Sequence, residues 1–301
     1  MSPLTALLLD WVITALWPLL AKAGTAHFTP VIFASAGLIM GLLVMTPALM
    51  LKNRWKLIFS KELRGPFFFM GFFGSALTSY LFITALSYTT PANAAIMAQV
   101  EILYSAMLCR WVLGERIGIS QAAGKALVIA GTGLIMLCDL GSPRWKGDLI
   151  ILLTPWMFQV SHIFAKRLPA DVDAVTIAGG RVFYGTLSML PLALWVFWRN
   201  PVTVPNWTKE GMLLILAQGV LMNSVNLILW YLAIRRIDLA KATTIMLSYP
   251  ALTVIFSWGL GQETIGLAQI SGLILTFAGA WWISTLIAKN RAPHPILSTV
   301  R

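Results

Sequence analysis

The sequence predicts an all-α integral membrane protein with ten transmembrane helices, arranged as two inverted five-helix repeats. Three observations lead to this class. The 301 residues are 58% hydrophobic and only 11% charged, whereas an average soluble protein is roughly 25% charged. Apolar stretches long enough to cross a hydrocarbon core of about 30 Å follow one another along the whole chain. A long motif also occurs twice.

The apolar stretches leave no room for a soluble domain between them. The tripeptide Ala21-Lys22-Ala23 has the small-x-small form that signal peptidase accepts, but no positive charge precedes the first stretch. We therefore expect this stretch to be retained as a helix. Numbered as spans 1 to 10, the stretches are Leu4 to Ala21, Pro30 to Met50, Pro66 to Ala85, Pro91 to Leu113, Ala122 to Leu140, Leu149 to Ala165, Val175 to Phe197, Gly211 to Ala233, Leu239 to Leu260 and Leu267 to Ala288.

The basic residues predict the orientation of these spans. If both termini are cytoplasmic, all but five of the 22 Lys and Arg residues lie in cytoplasmic loops, at cytoplasmic span ends or in the tail. Arg181, near the start of span 7, is counted among them. The positive-inside rule favours this orientation, in the cell inner (plasma) membrane. The five basic residues left on the outer side are Lys22, Arg144, Lys146, Arg199 and Lys209.

An internal repeat divides the chain. Residues 115 to 131, ERIGISQAAGKALVIAG, return 148 positions later as ETIGLAQISGLILTFAG, with Glu, Gln and Gly in one register. We predict a first repeat over 1–140 and a second over 141–301, which ends in a short cytoplasmic tail. Because each repeat holds five spans, an odd number, the second is inverted relative to the first. Inverted repeats of this kind are typical of secondary transporters.

The sequence resembles the drug/metabolite transporter superfamily of the EamA type. The resemblance rests on LGERIGISQAAGKALVIAGTGL and GQETIGLAQISGLILTFAGAW, each of which closes one half of the chain. It covers essentially the full chain and implies ten helices in two inverted repeats. Within the superfamily, the tryptophan-rich spans resemble the exporters of aromatic amino acids. The tryptophans concerned are Trp11, Trp17, Trp156 and Trp230.

Glu101 marks the place where the chain departs from that family. The family has a proline halfway along spans 4 and 9; here the second half keeps it in Ser248-Tyr249-Pro250, and the first half reads Val100-Glu101-Ile102. At a spacing of 148, Glu101 corresponds to Tyr249, near the membrane midplane where repeat transporters bind substrate. A charge there costs about 2.5 to 3.5 kcal/mol on insertion scales. Either Glu101 faces the cavity and takes up an ammonium group or a proton, or it is a buried carboxyl that joins two helices.

Helical spacing selects further candidates. In span 1, Trp17 shares a face with Asp10 and Thr14, and in span 6 Gln159 shares a face with His162. Span 6 is short and contains a proline, a feature that marks binding sites in repeat transporters. His162 is either a substrate ligand or a satisfied core histidine. We expect Asp10 and Lys22, near the ends of span 1, to be interfacial.

Span 8 carries Asn223, Asn226 and Trp230 at i, i+3 and i+7. Two carboxamides and an indole on one stripe are suited to an amino acid backbone and an aromatic side chain; the alternative is interhelical hydrogen bonding. Tyr80 and Gln99 lie on other faces of their helices. The candidate substrate-binding residues are Trp17, Thr78, Tyr80, Gln99, Glu101, Gln159, His162, Asn223, Asn226, Trp230 and Tyr249.

These features predict a secondary transporter that exports aromatic or hydrophobic amino acids and similar small metabolites by alternating access. A carboxylate among aromatic rings also suits cationic drugs, so their export is the alternative. No phosphate-binding loop, metal-spaced His or Cys cluster or Ser/His/Asp arrangement occurs, which argues against an ATP-driven pump and an enzyme; a channel is a third possibility. We expect no cofactor, a small-molecule substrate and the lipid bilayer as partners, no nucleic acid, and a monomer.

The topology can be tested with single cysteines in a chain without Cys109 and Cys138. A cysteine in the 52–64 loop should react with a membrane-impermeant maleimide only from the cytoplasmic side, and one beside Lys146 only from the outside. Labelling of right-side-out and inverted vesicles measures this. The opposite pattern would contradict both the topology and the inverted repeat.

Overall fold

The chain is described by a computed structural model that covers residues 1–104, 107, 119–138, 142, 144–169, 171–199, 207–234, 246 and 248–290. No strand occurs in these residues. In chain order the helices are α1 (Pro3–Thr25), α2 (Pro30–Leu51), α3 (Trp55–Ile58), α4 (Arg64–Leu86), α5 (Pro91–Met97), α6 (Ile119–Cys138), α7 (Arg144–Leu152), α8 (Pro155–Lys166), α9 (Ala174–Arg199), α10 (Lys209–Ile234), α11 (Tyr249–Gly259) and α12 (Leu267–Asn290).

The helices confirm a polytopic, all-helical protein. Within the described residues six helical stretches are long and apolar enough to cross a membrane: α1, α2, α4, α7 with α8, α9 and α10. They correspond to spans 1, 2, 3, 6, 7 and 8. Shorter apolar helices represent spans 5 and 10. Spans 4 and 9 lie partly outside the described residues, so the total of ten remains a prediction.

Two long helices depart from α-helical geometry at matching places. A π-helical segment, Phe72–Leu77, interrupts α4, and another, Gln218–Asn226, interrupts α10. Shifted by the repeat spacing of 148, the first segment falls inside the second. A π-helical segment is rare, and it is frequently found at functional sites.

Helices α6 and α12 cross at two pairs of glycines. A Cβ atom on Gly124 would stand 3.0 Å from the Gly279 carbonyl oxygen, and one on Gly131 would stand 2.8 Å from that of Gly272. The contacts are reciprocal, since a Cβ on Gly272 would stand 3.1 Å from the Gly131 oxygen. Small residues allow backbones to approach this closely in a membrane. The repeated G-x-x-x-x-x-x-G spacing of the motif therefore forms an antiparallel helix crossing.

Two further crossings use glycines in the same way. A Cβ on Gly41 of α2 would stand 3.3 Å from the Gly219 carbonyl oxygen of α10. A Cβ on Gly185 of α9 would stand 3.3 Å from the Gly71 carbonyl oxygen of α4. Each crossing lies beside a π-helical segment. The contact of span 2 with span 8 thus has the same geometry as the contact of span 7 with span 3.

Glu263, the first residue of the second motif, joins three helices on the predicted outer side. Its Oε1 accepts hydrogen bonds from the Ala92 backbone N–H at 2.8 Å and from the Ser257 hydroxyl at 2.5 Å. Gln269 donates to Glu263 Oε2 at 3.2 Å and to Asn93 Oδ1 at 2.9 Å. A carboxylate at the N-terminus of α5 is favoured by the helix dipole. The Glu and Gln of the motif therefore tie the start of α5 to α11 and α12.

Asp173 begins α9 on the predicted cytoplasmic side. Its Oδ1 accepts from the backbone N–H groups of Val175 at 3.0 Å and Thr176 at 3.1 Å, and its Oδ2 lies 3.1 Å from Arg54 Nε. Burial alone would raise the pKa of Asp173, but the hydrogen bonds from Thr176 and the charges of Lys52 and Arg54 outweigh it and hold that pKa below its ordinary value. This capping carboxylate links the α2–α3 loop to α9.

Replacing Glu263 tests the motif network. Glu263→Ala leaves the Ala92 N–H and the Ser257 hydroxyl without their acceptor, which costs about 1–3 kcal/mol for a buried group. We expect the purified protein in detergent to unfold several degrees lower than the parent. Glu62→Ala, at an exposed position, serves as the control. Equal unfolding temperatures for the two variants would show that the network contributes nothing to stability.

Candidate functional site

The candidate site lies where the backbone of three spans is irregular. A 3₁₀ segment, Ala98–Val100, directly precedes Glu101. Span 6 is broken between α7 and α8 at Leu153 and Thr154, before Pro155. Helix α11 begins at Tyr249, with Pro250 in its first turn. Proline has no N–H to continue a helix, and discontinuous helices in repeat transporters surround the substrate.

Tyr104 donates a hydrogen bond to a backbone carbonyl at the break in span 6. Its hydroxyl donates to the Leu152 carbonyl at 2.9 Å, and the Thr154 hydroxyl donates to the Ile151 carbonyl at 2.9 Å. A broken helix in a membrane needs such partners, because no water is there to replace them. The sequence prediction did not include Tyr104.

Glu101 and Gln159 form the polar centre of the site. Gln159 Nε2 donates to Glu101 Oε1 at 2.6 Å, and both side chains are partly exposed. Tyr249 lies close enough to Glu101 for the two groups to interact electrostatically. The structure thus brings together three predicted residues, from spans 4, 6 and 9. The carboxyl has a neutral partner, so its charge is not balanced by Gln159.

Trp17 forms the aromatic part of the site. Its ring stacks on Phe82 with centroids 4.1 Å apart and planes 11° apart, and it meets the edge of Phe158 at 6.1 Å. Phe158 precedes Gln159, so this aromatic cluster adjoins the polar centre. The indole Nε1 of Trp17 is buried without a hydrogen-bond partner among the described residues. It can donate to an acceptor on a ligand.

His162 and Trp230 face each other across spans 6 and 8, with ring centroids 5.4 Å apart. The Trp230 Nε1 is also buried and has no hydrogen-bond partner in the described chain. Phe82 and Trp230 are equivalent at the spacing of 148. Each repeat therefore places an aromatic residue of its third helix against its first helix.

Asn226 points to span 1. Its Nδ2 donates to Asp10 Oδ1 at 2.7 Å and to Thr14 Oγ1 at 2.9 Å. Asp10 is 1% exposed, so its carboxyl is buried among the helices; its depth in the membrane stays a prediction. It lies two turns inside α1, because that helix begins at Pro3. Asp10 is a buried carboxyl that the candidate set omitted.

Lys22 hydrogen-bonds to the backbone at the predicted outer end of span 3. Its Nζ donates to the carbonyl oxygens of Leu86 at 2.6 Å and Thr89 at 3.0 Å. The Leu86 carbonyl lies in the last turn of α4 and the Thr89 carbonyl just beyond it, where helical partners are lacking. Lys22 therefore contacts the end of another helix.

The three candidates in span 8 contact different helices. Asn223 lies against span 2, where a Cβ on Gly37 would come within 3.3 Å of its Nδ2. Asn226 contacts span 1 and Trp230 contacts span 6. The i→i+5 bonding of the π-helical segment shifts the phase of the helix, so the α-helical spacing used for the stripe does not apply.

Among the described residues, Thr78, Tyr80 and Gln99 form no hydrogen bond with Glu101 or Gln159. Thr78 is fully buried, and its hydroxyl donates to the Phe73 carbonyl inside the π-helical segment. Tyr80 packs against the apolar core. Gln99 is 2% exposed, and neither polar atom of its side chain has a partner in the described residues.

Arg181 was counted with the cytoplasmic basic residues, but it is buried inside the helix bundle. It is 4% exposed and lies two turns inside α9 among the helices, whereas the sequence analysis counted it at the cytoplasmic end. The signal in the sequence was an arginine within the apolar stretch after Gly179 and Gly180. An ionisable residue inside a span indicates a functional role.

Comparisons with known proteins agree on a transporter. Residues 1–137 and 145–285 match the EamA-like transporter family. The chain is 28% identical over 208 residues to a "Probable terminal-alkyne amino-acid exporter" of Streptantibioticus cattleyicolor, covering 67% of this chain and 68% of that one. It is 26% identical over 203 residues to an "Uncharacterized transporter" of Archaeoglobus fulgidus, covering 65% and 68%.

A solved crystal structure has the same fold. It superimposes with a TM-score of 0.65 at 20% identity, and the match covers 97% of both chains. The fold, the helices and the two family matches lead to one conclusion. The chain belongs to the EamA-like transporter family of multi-pass membrane proteins.

Proposed function

We propose that the protein is a secondary transporter that exports aromatic or hydrophobic amino acids and similar small metabolites across the inner membrane by alternating access. In this proposal ten helices form two inverted repeats, 1–140 and 141–301, and both termini are cytoplasmic. The observation that carries the proposal is the Glu101–Gln159 hydrogen bond, which joins the two repeats at midspan beside unpartnered donors.

The inverted repeat is supported by three matched features. The family matches each half of the chain separately. The π-helical segments recur at the repeat spacing. The α6–α12 crossing pairs each glycine with the partner that an approximate two-fold axis would generate. Two halves related in this way can exchange conformations, which is the basis of alternating access in repeat transporters.

The substrate class is supported by the residues around the polar centre. The Glu101 carboxyl can bind an ammonium group, and the rings of Trp17, His162 and Trp230 can stack on an aromatic or apolar side chain. Glu101, Gln159, Trp17 and His162 are all partly exposed, as expected for residues that line a path. The relative named as an amino-acid exporter supports the same class.

The alternative substrate is a cationic drug, which the same carboxyl and rings would bind. It lacks the carboxylate of an amino acid. Transport of a labelled aromatic amino acid and of a cationic dye by one preparation separates the two. A channel would carry either without saturation and without acceleration by substrate on the far side.

Counterflow in liposomes tests the proposal. Vesicles that contain purified protein and unlabelled phenylalanine should accumulate labelled phenylalanine transiently, and the rate should saturate. No accumulation for any amino acid, with accumulation of cationic dyes, would favour the alternative.

Glu101→Gln tests the role of the carboxyl. The glutamine keeps an acceptor for Gln159 but has no charge, so the fold should be retained. In the parent, protons compete with the substrate ammonium for Glu101, and counterflow of amines should slow as the pH falls from 8 to 5. We expect the variant to be slower and to lose this dependence. Counterflow equal to that of the parent at every pH would make Glu101 a packing residue; Glu210→Gln, at an exposed position, is the control.

A further inference from the structure

Arg181 carries a buried charge that the candidate site does not use. The guanidinium donates from Nε to Ser75 Oγ at 3.0 Å, from Nη1 to the Tyr231 hydroxyl at 3.2 Å and from Nη2 to the Gly74 carbonyl. All three acceptors are neutral. In the part of the chain that the structure describes, no carboxylate lies within ion-pair distance of it. A buried cation without an opposite charge is costly, so a role beyond packing is expected.

The hydroxyl groups around Arg181 can still donate hydrogen bonds to a ligand. Ser75 and Tyr231 accept from the guanidinium with their oxygens, and among the described residues no acceptor receives their own hydroxyl hydrogens. Ser161 is fully buried and has only a long contact, 3.4 Å, with the Met70 carbonyl. One guanidinium and three hydroxyls therefore converge from spans 3, 6, 7 and 8. Such a set of donors favours an oxyanion.

Gly74 brings these donors together. A Cβ atom at Gly74 would stand within 3 Å of both Ser161 Oγ and Arg181 Nη2. Both donors therefore lie close to one point on the π-helical segment of α4. A side chain at position 74 would clash with them, so only glycine fits there. The Gly74 carbonyl is the acceptor that an incoming anion would replace.

We propose that Arg181, Ser75, Ser161 and Tyr231 form a binding site for the carboxylate of the transported molecule. This inference rests on the proposed function, and it adds where the carboxylate of the substrate binds. The planar fork of a guanidinium matches the two oxygens of a carboxylate. A single negative charge also balances the single positive charge, whereas a phosphate dianion would leave a buried negative charge.

The site is a neighbour of the polar centre but separate from it. Ser161 and Tyr231 are adjacent in sequence to His162 and Trp230, which face each other. Ser161 and Gln159 lie about 3 Å apart along the axis of α8 but point about 160° apart. Gln159, which donates to Glu101, and Ser161, which lies beside Arg181, are therefore on opposite sides of α8. We therefore place the two charges at two separate binding positions.

Binding to the purified protein in detergent tests this site without transport. Benzoate, benzylamine and inorganic phosphate are compared by the rise in unfolding temperature and by titration. We expect benzoate to stabilise the parent in a saturable way, and phosphate to have no effect. Arg181→Gln should weaken benzoate binding at least tenfold and leave benzylamine unaffected. Arg199→Gln, an exposed arginine that lies over Trp195 and Trp198, should bind benzoate like the parent.

Tyr231→Phe and Ser75→Ala keep the charge and remove one hydroxyl each. We expect a loss of benzoate affinity of a few-fold in each. These two variants decide the question if Arg181→Gln does not fold. Unchanged benzoate binding in both variants, or in a folded Arg181→Gln, would overturn the proposal. Phosphate binding as tight as benzoate binding would overturn the assignment to a carboxylate.

The outcomes separate this site from the proposed function. If benzoate binding depends on Arg181 but no amino acid shows counterflow, the carboxylate site stands and amino acid export fails. If phenylalanine shows counterflow at the same rate in the parent and in Arg181→Gln, export stands and the carboxylate site fails. Phenylethylamine, which lacks the carboxyl, should be unaffected by Arg181→Gln in counterflow.

Discussion

The structure depends on the close approach of helix backbones at glycines. Lipid chains are as apolar as leucine, so helices in a membrane gain little from burying apolar side chains and are held by close packing and hydrogen bonds. The Gly124–Gly279 and Gly131–Gly272 pairs let α6 and α12 meet with carbonyl oxygens about 3 Å from where a Cβ would stand. Helix α2 meets α10, and α9 meets α4, at glycines in the same way.

Backbone irregularity and polar side chains occur together in this protein. The π-helical segment of α4 offers the Gly74 carbonyl to Arg181, and that of α10 contains Asn226, which binds Asp10. The break in span 6 leaves the Leu152 carbonyl for Tyr104. Each irregular segment has free backbone groups that must find partners inside the protein. Those partners are the residues that give the interior its specific chemistry.

The sequence predicted an all-helical, multi-pass membrane protein because the bilayer imposes length and hydropathy on each span. The Glu and Gln of the repeated motif were visible as a pattern, but their bonds to Ala92 and Asn93 depend on which helix ends meet. The Glu101–Gln159 pair joined two residues that the sequence had selected separately. Asn223 was grouped with Asn226 because the spacing assumed an α-helix, and no residue in span 8 signals a π-helical segment. Arg181 was not selected as a site residue, because an arginine near the start of a span resembles a cytoplasmic charge.

In the proposed transport cycle, the two halves of the chain, related by an inverted repeat, move against each other. Spin labels at the exposed positions Lys61 and Asp171 report the predicted cytoplasmic side, and labels at Ala26 and Gln262 report the outer side. Pulsed electron resonance measures both distances in liposomes, with and without phenylalanine. The account predicts that one distance increases while the other decreases when phenylalanine is added. Distances that both stay fixed, or that both change in the same direction, would contradict it.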